Sequence, residues 1–136
     1  MRLNPDCVRD ILLEVEEGTD YSTSITYDLS KPCPPRFRRY SHDELIYHIK
    51  QCDEAGLIEV STRSWGGEKA VISDLTPKGH EFLANTRKNE IWEGTKVVAK
   101  KVGSVSLNAL VQIASNVITE LIKAQFGIGS LPPQQL

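Results

Sequence analysis

The sequence predicts a mainly α-helical α+β fold with a small β-hairpin, and three observations carry that reading. Apolar residues recur at three- and four-residue intervals in several segments, which sets them on one face of a helix. Helix caps and glycine stops bound most of those segments. Residues 57–74 instead place β-favouring residues on either side of a turn that contains Gly66-Gly67.

The first helix opens at Asn4-Pro5-Asp6. Asn is a good N-cap, Pro suits the first turn, and Asp complements the helix dipole. Val8, Ile11, Leu12 and Val15 then fall on one face, and Gly18 marks the end, so a helix is expected over 5–17. Residues 18–40 lack helical periodicity. They hold Pro32, Pro34 and Pro35 after a short strand signal at Ser24–Leu29, and read as a loop or an irregular hairpin. That segment ends in Arg36-Phe37-Arg38-Arg39-Tyr40, the densest basic and aromatic cluster of the chain.

Ser41 and Glu44 have the S-x-x-E spacing of a capping box, in which serine and glutamate each satisfy a backbone N–H of the new helix. Leu45, Ile46, Ile49 and Cys52 form its apolar stripe, and Gly56 supplies the left-handed stop. Strands are expected over 57–63 and 69–74, around Ser64-Trp65-Gly66-Gly67-Glu68. Thr76-Pro77 repeats the cap-plus-proline signal and starts a helix that turns Phe82 and Leu83 to the core.

Beyond it, Ile91, Thr95, Val98 and Val102 lie near one helical face with Trp92 adjoining, before Gly103-Ser104 interrupts. A last helix spans about 107–125, its apolar stripe built from Leu107, Leu110, Val111, Ala114, Val117, Ile118 and Leu121 and widened by Ile113 and Ile122. The expected organisation is a module over 1–88, a C-terminal helical extension over 89–126 and a flexible tail over 127–136.

With 136 residues, 40% hydrophobic and 25% charged, the chain can bury a core without staples. Its start lacks the continuous apolar run of a signal peptide, and no stretch provides the ~20 apolar residues of a spanning helix, so a cytoplasmic protein with no membrane partner is expected. Cys7, Cys33 and Cys52 are odd in number and form no C-x-x-C pair, which points to reduced thiols rather than a disulfide framework or zinc ribbon. His48 and Cys52 stand at i, i+4, but two ligands do not make a metal site.

No G-x-S-x-G, H-E-x-x-H, phosphate-binding loop or dinucleotide fingerprint is present, and His80-Glu81 sits in a packing helix. The chain is therefore read as non-catalytic, without cofactor or metal. Its net charge of −2 also lacks the basic surplus that counterion release makes useful on nucleic acid. Residues 1–40 carry +6 and −7, residues 41–90 carry +6 and −9, and residues 91–136 carry +4 and −2.

The order of a helix, a second helix ending in Glu54-Ala55-Gly56-Leu57-Ile58, a hairpin, and then Leu75-Thr76-Pro77-Lys78-Gly79-His80-Glu81-Phe82-Leu83 resembles a winged-helix arrangement. More closely, Tyr40-Ser41 through Ile58, Leu75 to Leu83, and Gly103-Ser104-Val105-Ser106-Leu107 resemble a bacterial and phage family catalogued as domain of unknown function 2513. The resemblance implies a winged-helix-like module followed by C-terminal helices, with the helix before Gly56 as recognition helix and the hairpin as wing. It transfers no active site. The short helix that usually precedes a recognition helix is not visible in 18–40.

Two functions follow as expectations: a non-catalytic interaction protein, or a DNA-binding transcriptional regulator. The recognition helix carries Asp43, Glu44, Asp53 and Glu54 against Lys50, which opposes a polyanion. Arg36, Arg38, Arg39, Tyr47, Lys50, Arg63, Trp65 and Lys69 are the contact residues expected toward a protein partner or nucleic acid. The arginines have a plainer alternative, pairing with nearby carboxylates while Phe37 and Tyr40 anchor the loop. Leu107, Leu110, Ala114, Val117, Ile118 and Leu121 form the face that would either cover its own domain or seal a homodimer.

Overall fold

The computed structural model describes residues 1–64 and 69–127, which hold five α-helices and three strands. The chain divides into two compact units, Met1–Ala84 and the part from Asn85 onward. Trp65 and residues 128–136 of the expected tail lie outside the described residues.

In the first unit, α1 (Pro5–Gly18) begins where Asn4 Oδ1 accepts the Asp6 amide at 3.1 Å. Its face of Cys7, Val8, Ile11, Leu12 and Val15 is completely buried. Burying each large aliphatic side chain is worth about 1.5–3 kcal/mol, so this face is a principal source of stability. It packs on the second helix and on the sheet.

Strand β1 (Ile25–Asp28) lies within the expected strand signal, and its partner lies outside the 18–40 segment read as a loop or an irregular hairpin. It pairs antiparallel with β3 (Lys69–Leu75), setting Tyr27 opposite Ala70 and Asp28 opposite Lys69. Four residues cannot hold a strand alone, and the ladder to β3 supplies the missing backbone partners. The sheet is completed by β2 (Ile58–Ser64), in the order β1-β3-β2. Two register shifts interrupt β2 against β3, where the Ser61 and Ser73 hydroxyls donate to the Val71 and Glu59 carbonyls.

After β1 the prolines lead into a single 3-10 turn at Pro35–Phe37, with Phe37 buried. Helix α2 (His42–Glu54) follows. Ser41 Oγ accepts the Glu44 amide at 3.1 Å, as a capping serine does. The other half of the expected box is replaced, because Glu44 Oε2 accepts from Asn4 Nδ2 at 3.0 Å. His48 is fully buried: Nε2 accepts the Asn4 amide at 2.8 Å and Nδ1 donates to the Glu44 carbonyl at 2.7 Å. Nε2 thus ties the start of α1 to α2, while Nδ1 bonds back to the first turn of its own helix.

The exit of α2 meets the entry of α3 (Pro77–Asn85) at one point. Gly56, at φ +75°, turns the chain so that Leu57 starts toward β2. The Leu57 carbonyl accepts the Thr76 amide at 3.0 Å. The Thr76 hydroxyl donates to the Gly56 carbonyl and accepts the Gly79 amide at 3.1 Å, while Lys78 Nζ donates to the Ala55 carbonyl at 3.1 Å. A methyl group on Gly79 would lie 2.1 Å from the Leu57 oxygen, so only glycine admits this approach.

In the second unit, α4 (Asn89–Val102) and α5 (Leu107–Gln125) pack together, with Ser106 Oγ accepting the Ala109 amide at 3.1 Å. The buried face of α4 is Ile91, Trp92, Thr95 and Ala99. This corrects the expected face: Val98 and Val102 are turned out, 39% and 66% exposed. Trp92, the largest side chain of the helix, takes the inner position and rotates the stripe by about one residue.

Replacing Gly79 by Ala should lower unfolding stability by about 3 kcal/mol, because backbone carbonyl and helix must separate. Thr76→Ala should cost about 1 kcal/mol through the lost cap. Urea denaturation followed by circular dichroism checks both, and a Gly79→Ala variant as stable as the parent contradicts the close approach.

Candidate functional site

The acidic side of α1 organises the arginine-rich loop. Asp6, Asp10, Glu14 and Glu17 recur at helical spacing and form one stripe. Arg36 bridges Glu14 at 2.8 Å and Glu17 at 3.0 Å. Arg39 approaches Asp10 at 3.4 Å and Asp6 at 3.9 Å, with its guanidinium 4.9 Å from the Tyr40 ring centre. The Tyr40 hydroxyl donates to Asp10 at 2.6 Å. Burial, followed by this hydrogen bond to a carboxylate, pushes the Tyr40 phenol well above its ordinary range, so it remains a donor.

The other expected contact residues divide in the same way. Arg63, leaving β2, is held by Asp53 of α2 through two hydrogen bonds of 2.6 and 2.9 Å, which push its pKa up. Lys50 lies 3.9 Å from Glu54, one turn along its own helix. Lys69 is exposed and sits directly across the sheet from Asp28. Tyr47 is half-buried, its ring edge-on to His48 at 5.1 Å. Arg38 is exposed and has no carboxylate partner among the described residues.

Sequence reasoning does not reveal how firmly Tyr27 joins these parts. Its ring stacks on His42 at 5.5 Å and meets Phe37 edge-on at 6.4 Å, and its hydroxyl bonds His42 Nδ1. Nor does it reveal a cavity of about 430 Å³ lined by Ile11, Val15, Ile25, Tyr27, Cys33 and Phe37. The strand signal that places Tyr27 was visible, but its partners lie far along the chain.

Burial is graded along the face expected to cover the domain or seal a homodimer. Leu107, Leu110 and Ala114 are buried within the chain, whereas Val117, Ile118 and Leu121 are half-buried and Ile122 is 47% exposed. A largely apolar groove of about 480 Å³ runs between α4 and α5, lined by Gly94, Val97, Val98, Ile113, Val117 and Glu120 among others, and so shares Val117 with that face.

His48 and Cys52 are both buried, and among the described residues no group of three or more His, Cys, Asp or Glu side chains is placed to hold an ion. The Cys7 thiol is pushed up to about 12, first by burial and then by the nearby Glu44 charge, and burial raises Cys52 as well. Cys33 is partly exposed. Among the described residues no helix is long and apolar enough to cross a membrane.

These features define an α+β protein whose small three-stranded sheet is framed by helices and whose arginine-rich loop is paired to its own first helix. The chain belongs to the family described as "Hypothetical protein (DUF2513)", whose model matches residues 2–106. It is similar to an "Uncharacterized protein" of Haemophilus influenzae, 32% identical over 124 residues that cover 90% of this chain and 99% of that relative. No solved structure gives a significant match.

Thiol labelling of the native protein at neutral pH should modify Cys33 and spare Cys7 and Cys52, with all three reacting after denaturation. Intact-mass spectrometry counts the adducts; rapid native labelling of Cys7 or Cys52 contradicts their burial. Tyr40→Phe should cost about 1.5 kcal/mol in urea denaturation, as expected for a lost hydrogen bond to a carboxylate.

Proposed function

We propose that the chain is a non-catalytic, winged-helix-like interaction module whose partner is a protein rather than nucleic acid. The topology that supports the winged-helix reading is α1-β1-α2-β2-β3, with sheet order β1-β3-β2 and α2 leading directly into the hairpin. In this reading the Pro35–Phe37 turn takes the place of the short helix before α2.

The observation that carries the choice of partner is the internal use of positive charge. Arg36, Arg39 and Arg63 are paired with carboxylates of α1 and α2, and Lys50 with Glu54. Phosphate binding would have to compete with these pairs before it could release counterions. The first turn of α2, the end a recognition helix presents to bases, holds Asp43 and Glu44. Its outer surface adds half-buried Ile46 and Tyr47, a mixture suited to a protein contact. The DNA-regulator reading is favoured by one observation, the exposed Arg38 within the hairpin-bearing unit.

Fluorescence anisotropy with a mixed-sequence DNA duplex, titrated at low and physiological salt, separates the two. The protein-partner reading predicts no salt-sensitive binding. Binding that weakens with salt, and that Arg38→Ala with Arg39→Ala reduces by up to about two contacts' worth of salt slope, would establish the regulator instead.

A further inference from the structure

We propose that the groove between α4 and α5 docks a second copy of this chain, with the two helical pairs laid antiparallel across a two-fold axis. The inference concerns the second unit alone and holds whichever partner the first unit takes.

Glu90, Gly94, Val97 and Lys101 recur at four, three and four residues, so they share one stripe of α4. It lies away from the buried Ile91, Trp92, Thr95 and Ala99. Val97 is 52% exposed, and Val98 adjoins it. Across the groove, Ile113, Val117 and Glu120 line α5. Valine is costly to leave in water, and an apolar strip between two helices is covered at least cost by another such strip.

The charges select the occupant and its direction. A Cβ on Gly94 would sit 3.3 Å from Val117 Cγ1, and residues 103–106 join the end of α4 to the start of α5, so the helices run antiparallel. Glu90 and Glu120 therefore lie toward one end of the groove and Lys101 toward the other, about 16 Å away at 1.5 Å per residue. A second copy turned end over end brings its Lys101 to Glu90 and Glu120, and its two glutamates to Lys101. A copy laid parallel would instead set Lys101 against Lys101.

Glu120 is already 3.6 Å from Lys123, which leaves Glu90 as the cleaner acceptor. The two helices offer a face of roughly 20 by 20 Å, about 400 Å² per copy and about 800 Å² in total, which is below the size of stable interfaces and in the range of weak, transient ones, so the dimer should dissociate on dilution.

Sedimentation equilibrium of the full chain from about 1 to about 500 µM should show a monomer–dimer equilibrium. Val98→Asp, at an exposed position and with its helicity checked by circular dichroism, should be monomeric throughout. Lys101→Glu should weaken the dimer about tenfold, since each reversal acts twice in a two-fold assembly, and adding Glu90→Lys should restore it. A wild type that is monomeric at every concentration overturns the proposal and leaves the groove to a different protein. A dimer indifferent to Val98→Asp also overturns it, placing the contact elsewhere. Charge reversal without effect, or without rescue, rules out the antiparallel arrangement.

Discussion

The first unit depends on the carbonyl of Leu57. It lies where α2 has ended and β2 is about to begin, and it accepts the Thr76 amide just where β3 gives way to α3. Gly79 lets the helix close onto it, and Thr76 ties both sides together with its hydroxyl. Four elements thus share one small polar cluster. The last carbonyls of α2 and the first amides of α3 would otherwise be orphaned, and each buried orphan costs on the order of 1–3 kcal/mol. A residue with a side chain at position 79 would push apart the segments whose groups satisfy one another.

From that junction outward the core is assembled by faces. The aliphatic stripe of α1 covers α2 and β3, and the buried His48 fastens the start of α1 to α2 through hydrogen bonds at both ring nitrogens. The arginine-rich loop is then drawn to the acidic side of α1, opposite the core. Surface ion pairs are individually worth little, but here Arg39 shares Asp10 with the half-buried Tyr40 while Arg36 spans Glu14 and Glu17, which together restrict where the loop can lie. The consequence is functional as much as structural. Positive charge that looks available along the sequence is largely balanced by the protein's own acids.

Local chemistry was the legible part of this fold. Asn4, Ser41 and Ser106 act within three residues of themselves, so their caps can be read from neighbours, and Gly56 likewise declares its own turn. The mainly helical α+β class followed from such signals. What stayed hidden was pairing over distance: β1 finds β3 more than 40 residues later, Arg36 finds Glu14 and Glu17 behind it, and Glu44 leaves the expected cap for Asn4. In α4, an i, i+3, i+4 pattern allowed two registers, and the volume of Trp92 decided between them. For the candidate site, residue types were visible while their partners were not. Because partners determine whether an arginine is free to bind, that missing information bears directly on function.

Native-state hydrogen exchange at Thr76 and Gly79 tests the central claim, that this junction holds the first unit together. Their amides donate to Leu57 O and Thr76 Oγ respectively. Both should exchange only through global unfolding, with the same opening free energy and denaturant dependence as the core of α1. Exchange of either amide through a low-energy local opening, while α1 remains protected, would contradict the claim.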